Sequence, residues 1–144
     1  MEKSMRILAA VDGSDVSDRV MDTAVSLAEA VGAALDVLYV SYFASDTDGD
    51  DEDSWLPESV AGPTSKKVNA ALERALDRVP SPLQVVEHHK IGVPSDEILA
   101  FIKENNIDIV VMGGRGLSAI QGFLMGSVSQ SVLESAPCGV VIVK

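Results

Sequence analysis

Residues 6–40 read RILAAVDGSDVSDRVMDTAVSLAEAVGAALDVLYV and change period twice. An apolar run, Arg6 to Val11, gives way to a stretch in which Val16, Val20, Ala24, Leu27, Ala28 and Val31 recur at i, i+4, i+8, i+11, i+12 and i+15. That spacing draws one apolar stripe along a helix, with Asp15, Asp18 and Asp22 facing away from it. Ser14 stands before the stripe as an N-cap, and Gly32 follows it as a C-terminal stop. A second apolar run, Ala34 to Val40, comes next. Both runs are rich in Val, Ile and Leu with little alternation, as strands covered on both faces require. Strand, helix and strand in such close succession form a right-handed crossover within a parallel sheet.

The same alternation continues along the chain. Strand-length apolar runs recur at Leu83 to His89, Asp108 to Met112 and Gly139 to Val143. A second helix is predicted from about Ser65 to Arg78, with Val68, Ala71, Leu72 and Ala75 inward, ending before Pro80. A third opens with Pro94, Ser95, Asp96 and Glu97, whose acidic first turn complements the helix dipole, and closes near Asn105 and Asn106. A fourth runs from Ser127 to about Glu134 and is stopped by Pro137. The order β-α-β-α-β-α-β-α-β predicts an α/β fold, a doubly wound parallel sheet with helices on both faces. At 144 residues the chain has the length of one domain, spanning 1–144. From Ser41 to Pro63 no period is present, and Asp46, Asp48, Asp50, Asp51, Glu52 and Asp53 crowd like charges together. A mobile acidic loop is expected there.

Composition narrows the function classes. Hydrophobic residues at 47% and charged residues at 23% place the chain among globular proteins. Twenty-two acidic against 11 basic residues give a net charge of −11. Such a surface repels a phosphate backbone and an anionic membrane, and the basic pair Lys66–Lys67 is too small a footprint to reverse that. An acid-rich surface fits a cytoplasm of high salt as well as an ordinary acidic protein. The single cysteine, Cys138, permits no internal disulfide and is read as a buried small apolar residue. No run of 18 apolar residues occurs, and Met1 to Ala10 contains Glu2, Lys3 and Arg6, so a cytoplasmic location is expected.

In an open parallel sheet, ligands bind beyond the carboxyl ends of the strands. Three features of the chain converge on that edge: Asp12-Gly13-Ser14 after the first strand, Gly113-Gly114-Arg115-Gly116 after the fourth, and Gly126-Ser127 at the start of the fourth helix. Gly113 and Gly116 let the backbone approach a ligand without a Cβ in the way. The amides of a helix N-terminus, with the positive end of its dipole, suit an anion. Asp12, a carboxylate at a strand's end, can accept hydrogen bonds from ribose hydroxyls. Tyr39 and Val40, at the end of the second strand, are placed to offer an apolar slot to a base. The competing structural readings are a plain turn and N-cap at Asp12-Gly13-Ser14 and a self-satisfying capping box at Ser127-x-x-Gln130.

Other chemistries fail on pattern. There is no Gly-x4-Gly-Lys-Ser/Thr, so the phosphate-binding lysine of a P-loop is absent. His88 and His89, adjacent on a strand, point to opposite faces and cannot grip one metal together. An EF-hand loop starting at Asp46 would need glycine at residue 51 and an acid at residue 57, where Asp51 and Pro57 stand. A receiver-type phosphoacceptor needs an acidic pair after the first strand and an Asp ending the third, whereas Asp12 is alone and the third strand is expected to end in His88-His89. No general base lies beside the glycines, so a binder rather than an enzyme is expected.

With these residues in place, the chain resembles the universal stress protein family in its ATP-binding branch. The resemblance rests on Ile7 to Ser14 (ILAAVDGS), Gly92-x-Pro94 with Glu97-Ile98-Leu99, Asp108 to Gly116 (DIVVMGGRG), Leu124 to Val128 (LMGSV) and Ala136-Pro137-Cys138. It implies five parallel strands in the order 3-2-1-4-5. It further implies that Asp12 holds the ribose, that the Val40 backbone meets the adenine, and that Met112 lines the adenine pocket. Gly113, Arg115, Gly116, Gly126, Ser127 and Val128 would surround the phosphates of ATP, with or without Mg²⁺. It implies a homodimer through the last strand, Val140, Val141, Ile142 and Val143, whose apolar sheet edge suits such pairing. The function implied is a nucleotide-dependent dimeric regulator in stress response; the alternative is a dimeric interaction protein of the same fold that binds no nucleotide. Gly139 stands where a proline is common and Gly114 where Ser or Thr is more usual.

Overall fold

The computed structural model describes residues 4–41, 62–114 and 126–144, with backbone only for 62–65. The first strand, β1 (Arg6–Val11), runs into α1 (Asp15–Val31) and then β2 (Ala34–Ser41). α2 (Gly62–Leu76), β3 (Val85–Ile91), α3 (Pro94–Glu104), β4 (Ile109–Gly113), α4 (Ser127–Ser135) and β5 (Gly139–Val143) complete the order. Most of the expected acidic loop, with Trp55, lies outside the described residues, as do Arg115 and Gly116.

The sheet is five-stranded and parallel, in the order β3-β2-β1-β4-β5. Its two faces carry separate cores. On one, Ile7, Ala9, Val11, Leu35, Val37 and Tyr39 pack against Val20, Met21, Ala24 and Ala28 of α1 and Val68, Leu72 and Ala75 of α2. On the other, Leu8, Leu38, Val110 and Met112 meet Ile98, Phe101 and Ile102 of α3 and Val132 of α4. Alternate residues of β1 thus serve opposite cores, which is why its sequence is apolar at nearly every position.

Local chemistry sets the helix ends. Gly32 takes the left-handed conformation, φ 71° and ψ 38°, that ends a helix and is costly for residues with a Cβ. α3 begins with Pro94 in its first turn, where the missing N–H is no loss. The bounds of α2 and β3 differ most from expectation. α2 starts at Gly62 and ends at Leu76, earlier than Ser65 to Arg78, because Pro63 is tolerated in a first helical turn. β3 runs on to Ile91, past His88-His89, because it follows β2 in register as far as the Ser41↔Ile91 pair. The residue after it is Gly92, so the receiver-type acid is still absent.

β3 is also largely exposed, with Val86 at 57%. As the outermost strand it is not covered on both faces. A buried polar cluster secures it. Asp36, 3% exposed, accepts two hydrogen bonds from Arg6 Nη2 at 3.0 and 2.9 Å, one from Nε at 3.2 Å, and lies 2.9 Å from His88 Nε2. His88 also stands edge-on to Phe101, at 4.6 Å between ring centroids. His89 turns to the other face, 2.8 Å from Ser41 Oγ and edge-on to Tyr39. The two histidines do point apart, and each is built into the packing.

Candidate functional site

The register brings the expected site residues to one rim. The last pairs of β1 are Val11↔Tyr39 and Ala10↔Met112. Asp12 therefore leaves the sheet beside the carboxyl ends of β2 and β4, where Val40 and Gly113 stand. Beyond β4, Gly114 N–H donates to Val143 O at 2.9 Å, and Gly126 N–H donates to Gly114 O at 2.6 Å. The glycine turn and the start of α4 are thus pinned to each other and to the end of β5.

Asp12 is held by its own turn. Its Oδ1 accepts from Ser14 N–H at 2.9 Å, from Ser14 Oγ at 2.5 Å and from Ser17 Oγ at 3.0 Å. Ser17 Oγ in return accepts from Asp12 N–H at 3.0 Å. Gly13 between them has φ 81°, a left-handed turn conformation open to glycine. Ser14 occupies the N-cap, but its hydroxyl is spent on Asp12 and does not cap α1. The turn therefore fixes the carboxylate rather than the helix end.

At the opposite side of the rim, α4 starts from Gly126, extended at φ −79° and ψ 166°, with no side-chain cap. The capping-box reading is overturned. Ser127 is the first helical residue rather than the cap, and the Gln130 side chain reaches along the helix to Glu134 at 3.5 Å. The first amides of α4 have no intrahelical partners and no side chain among the described residues in their place. Ser129 Oγ, buried, donates to Gly114 O at 2.8 Å with Gly126 O second at 3.1 Å. It thereby braces the glycine turn rather than capping the helix.

At Gly113 the packing supplies a reason for glycine. A Cβ there would sit 2.6 Å from Val16 Cγ1, so its bare Cα makes room for α1. Met112, 4% exposed, belongs to the α3–α4 core, and Val40 and Val128 pack against the same cluster. These three share one apolar floor and Asp12 stands beyond it. Arg115 and Gly116 lie outside the described residues. Cys138 is half-buried rather than buried, and desolvation raises its thiol above the usual range.

Sequence reasoning missed Val16, Ser17 and Ser129. Ser17 and Ser129 are both third residues of a helix, and each reaches back to the loop before it. The available signal was a serine on an otherwise apolar helix face. The acids Asp15, Asp18 and Asp22 face away from the apolar stripe as expected, and on that side they meet Arg74 of α2 and Arg78 just beyond it. Arg74 donates to Asp18 at 2.7 and 2.9 Å and to Asp15 at 3.3 Å, and Arg78 donates to Asp22 at 2.9 and 3.0 Å.

Comparison with known proteins agrees with the fold. The family model described as the universal stress protein family matches residues 3–144. Universal stress protein YxiE of Bacillus subtilis is 32% identical, over 96% of this chain and 98% of its own. Among solved structures, universal stress protein UspA from Lactobacillus plantarum is 25% identical and covers both chains fully, with a TM-score of 0.79. A universal stress protein in complex with cAMP is 26% identical over 99% of this chain and 98% of its own, with a TM-score of 0.68. This chain belongs to the universal stress protein family.

Proposed function

We propose that the chain is an adenine-nucleotide-binding regulator of the stress response, acting as a homodimer in the cytoplasm, and that it binds ATP without serving as an enzyme. The observation that carries this reading is the uncapped start of α4. Gly126 brings no side chain to it, and Ser129 is turned away to hold Gly114. A row of helix amides facing a rim suits phosphate, and a fixed carboxylate across that rim suits a sugar hydroxyl. The family member solved with cAMP holds a ligand of the same chemistry. Val40 and Met112 would serve the adenine, and Ser127 and Val128 the phosphates. Asp12 is committed to its turn through Oδ1, which favours holding over proton transfer.

Isothermal titration with ATP, with and without Mg²⁺, tests the reading. Gly113→Val is a poor control because the added side chain strikes Val16. Gly126→Asp is the better one, since an aspartate cap occupies the helix amides itself and repels phosphate. Expected are a Kd on the order of micromolar for the parent and loss of binding in Gly126→Asp with the fold retained. Silence from the parent would leave a dimeric interaction protein of this fold that binds no nucleotide.

A further inference from the structure

The first turn of α1 touches the rim at Asp12 and at Gly113. Ser17 bonds both the amide and the carboxylate of Asp12. Val16 fills the space beside Gly113. Asp15 and Asp18 bind Arg74 of α2. α2 itself lies against the Asp12 turn, since a Cβ built on Gly13 would stand 3.5 Å from Ala71 Cβ and 4.0 Å from Tyr39 Cε2. Arg78, in the turn just past the end of α2, reaches Asp22 at 2.9 Å and Asp18 at 3.7 Å. Five side chains thus form a ladder between α1 and the C-terminal end of α2 with the turn after it, and the ladder begins at Asp15, the first residue of α1, shortly after the carboxylate assigned to the sugar.

We propose that this ladder, Asp15–Arg74–Asp18–Arg78–Asp22, positions the ribose end of the site, with Arg74 as its central positioning residue. The inference rests on the nucleotide reading above. The apolar stripe of α2 presses that helix onto the sheet but resists sliding along α1 poorly, because small side chains such as Ala71 and Ala75 interlock little. Fork-shaped arginine–carboxylate contacts resist sliding, since their donors match the two carboxylate oxygens in only one register. Holding α2 in register holds Ala71 under Gly13, and so keeps the Asp12 carboxylate aimed at the ligand. Loss of the ladder should cost recognition of the sugar hydroxyls, not general affinity.

The test measures discrimination. Adenosine and 2′,3′-dideoxyadenosine, both uncharged, are titrated into the parent, Arg74→Gln/Arg78→Gln and Asp18→Asn/Asp22→Asn, with circular dichroism confirming that each variant is folded. The two double variants move the net charge in opposite directions while both removing the Arg74–Asp18 and Arg78–Asp22 ion pairs. The expected result is a preference for adenosine in the parent that shrinks by about three- to fivefold in both variants, the span that coupling through exposed ion pairs reaches. A general loss of stability would weaken both ligands alike and leave their ratio unchanged. An unchanged ratio in either folded variant, or opposite shifts that follow net charge, overturns the positioning role. A parent that binds ATP but shows no preference for adenosine overturns the sugar role of Asp12 and the inference with it. A parent that binds neither nucleoside nor ATP overturns the nucleotide reading itself.

Discussion

Gly113 shows how a residue's place can be legible in the sequence while a packing reason for it is not. Its position at the end of β4 was legible from the GG turn after a buried apolar run. Its reason was not, because the atom it makes room for, Val16 Cγ1, comes from a helix almost a hundred residues earlier in the chain. A methyl group added there must displace a branched side chain held in the α1 core. Gly113→Ala is expected to lower stability by about 1–3 kcal/mol, as overpacking of a close-packed site does. A lower urea midpoint with an unchanged slope would check it, and an unchanged midpoint would mean that α1 yields at no cost. Asp12 is the converse case. The residue was found from its place at a strand's end, but its partner Ser17 was not, since a serine inside a helix leaves no periodic mark.

At the scale of elements, α1 and α2 meet through charge on their outer edges and through apolar residues beneath. Hydrogen bonds from Arg74 and Arg78 hold Asp18 and Asp22, respectively, below the usual carboxylate range, against an opposing effect of partial burial. Because their folded values are depressed, these carboxylates stabilise the protein above the ordinary carboxylate range, and that contribution is lost as pH falls through the lowered values. The urea midpoint of the parent should therefore fall more steeply between about pH 5 and pH 3 than that of Asp18→Asn/Asp22→Asn. The difference should narrow in high salt, because these pairs are exposed to solvent. Equal slopes would mean that the ladder contributes nothing to folding. Helix periods and strand runs were readable along each segment. The ladder was not, since both its sides look like solvated helix faces until the helices are laid together.

For the whole molecule, the sheet has two outer strands of different character. β3 is exposed but secured through His88 and Asp36 to β1 and to the end of α3, where Arg6 Nη1 donates to Asn105 O at 3.1 Å. β5 carries Val140, Val141, Ile142 and Val143 half-buried, two facing each core, and ends the sheet beside the glycine turn. An apolar outer strand invites a second copy. If the proposed homodimer is seated there, Ile142→Lys should shift the protein to monomer in analytical ultracentrifugation while leaving its circular dichroism unchanged. A dimer that survives the substitution would place the contact elsewhere. Gly114 N–H bonded to Val143 O joins this edge to the phosphate side of the rim, so ligand and dimer would share one strand end.

The sequence alone determined the alternation of strands and helices, the stops at Gly32 and Pro137, and the gathering of Asp12, Gly113 and Gly126 at one edge. Each of these follows from short-range rules of period, capping and strand direction. The tertiary structure alone decided that Val16 fills the space at Gly113, that Ser17 and Ser129 hold the two sides of the rim, and that Asp15, Asp18 and Asp22 meet Arg74 and Arg78. It also decided that Asp36 is buried between Arg6 and His88. Those contacts join residues far apart in the chain, and only packing brings together side chains whose spacing in sequence carries no period.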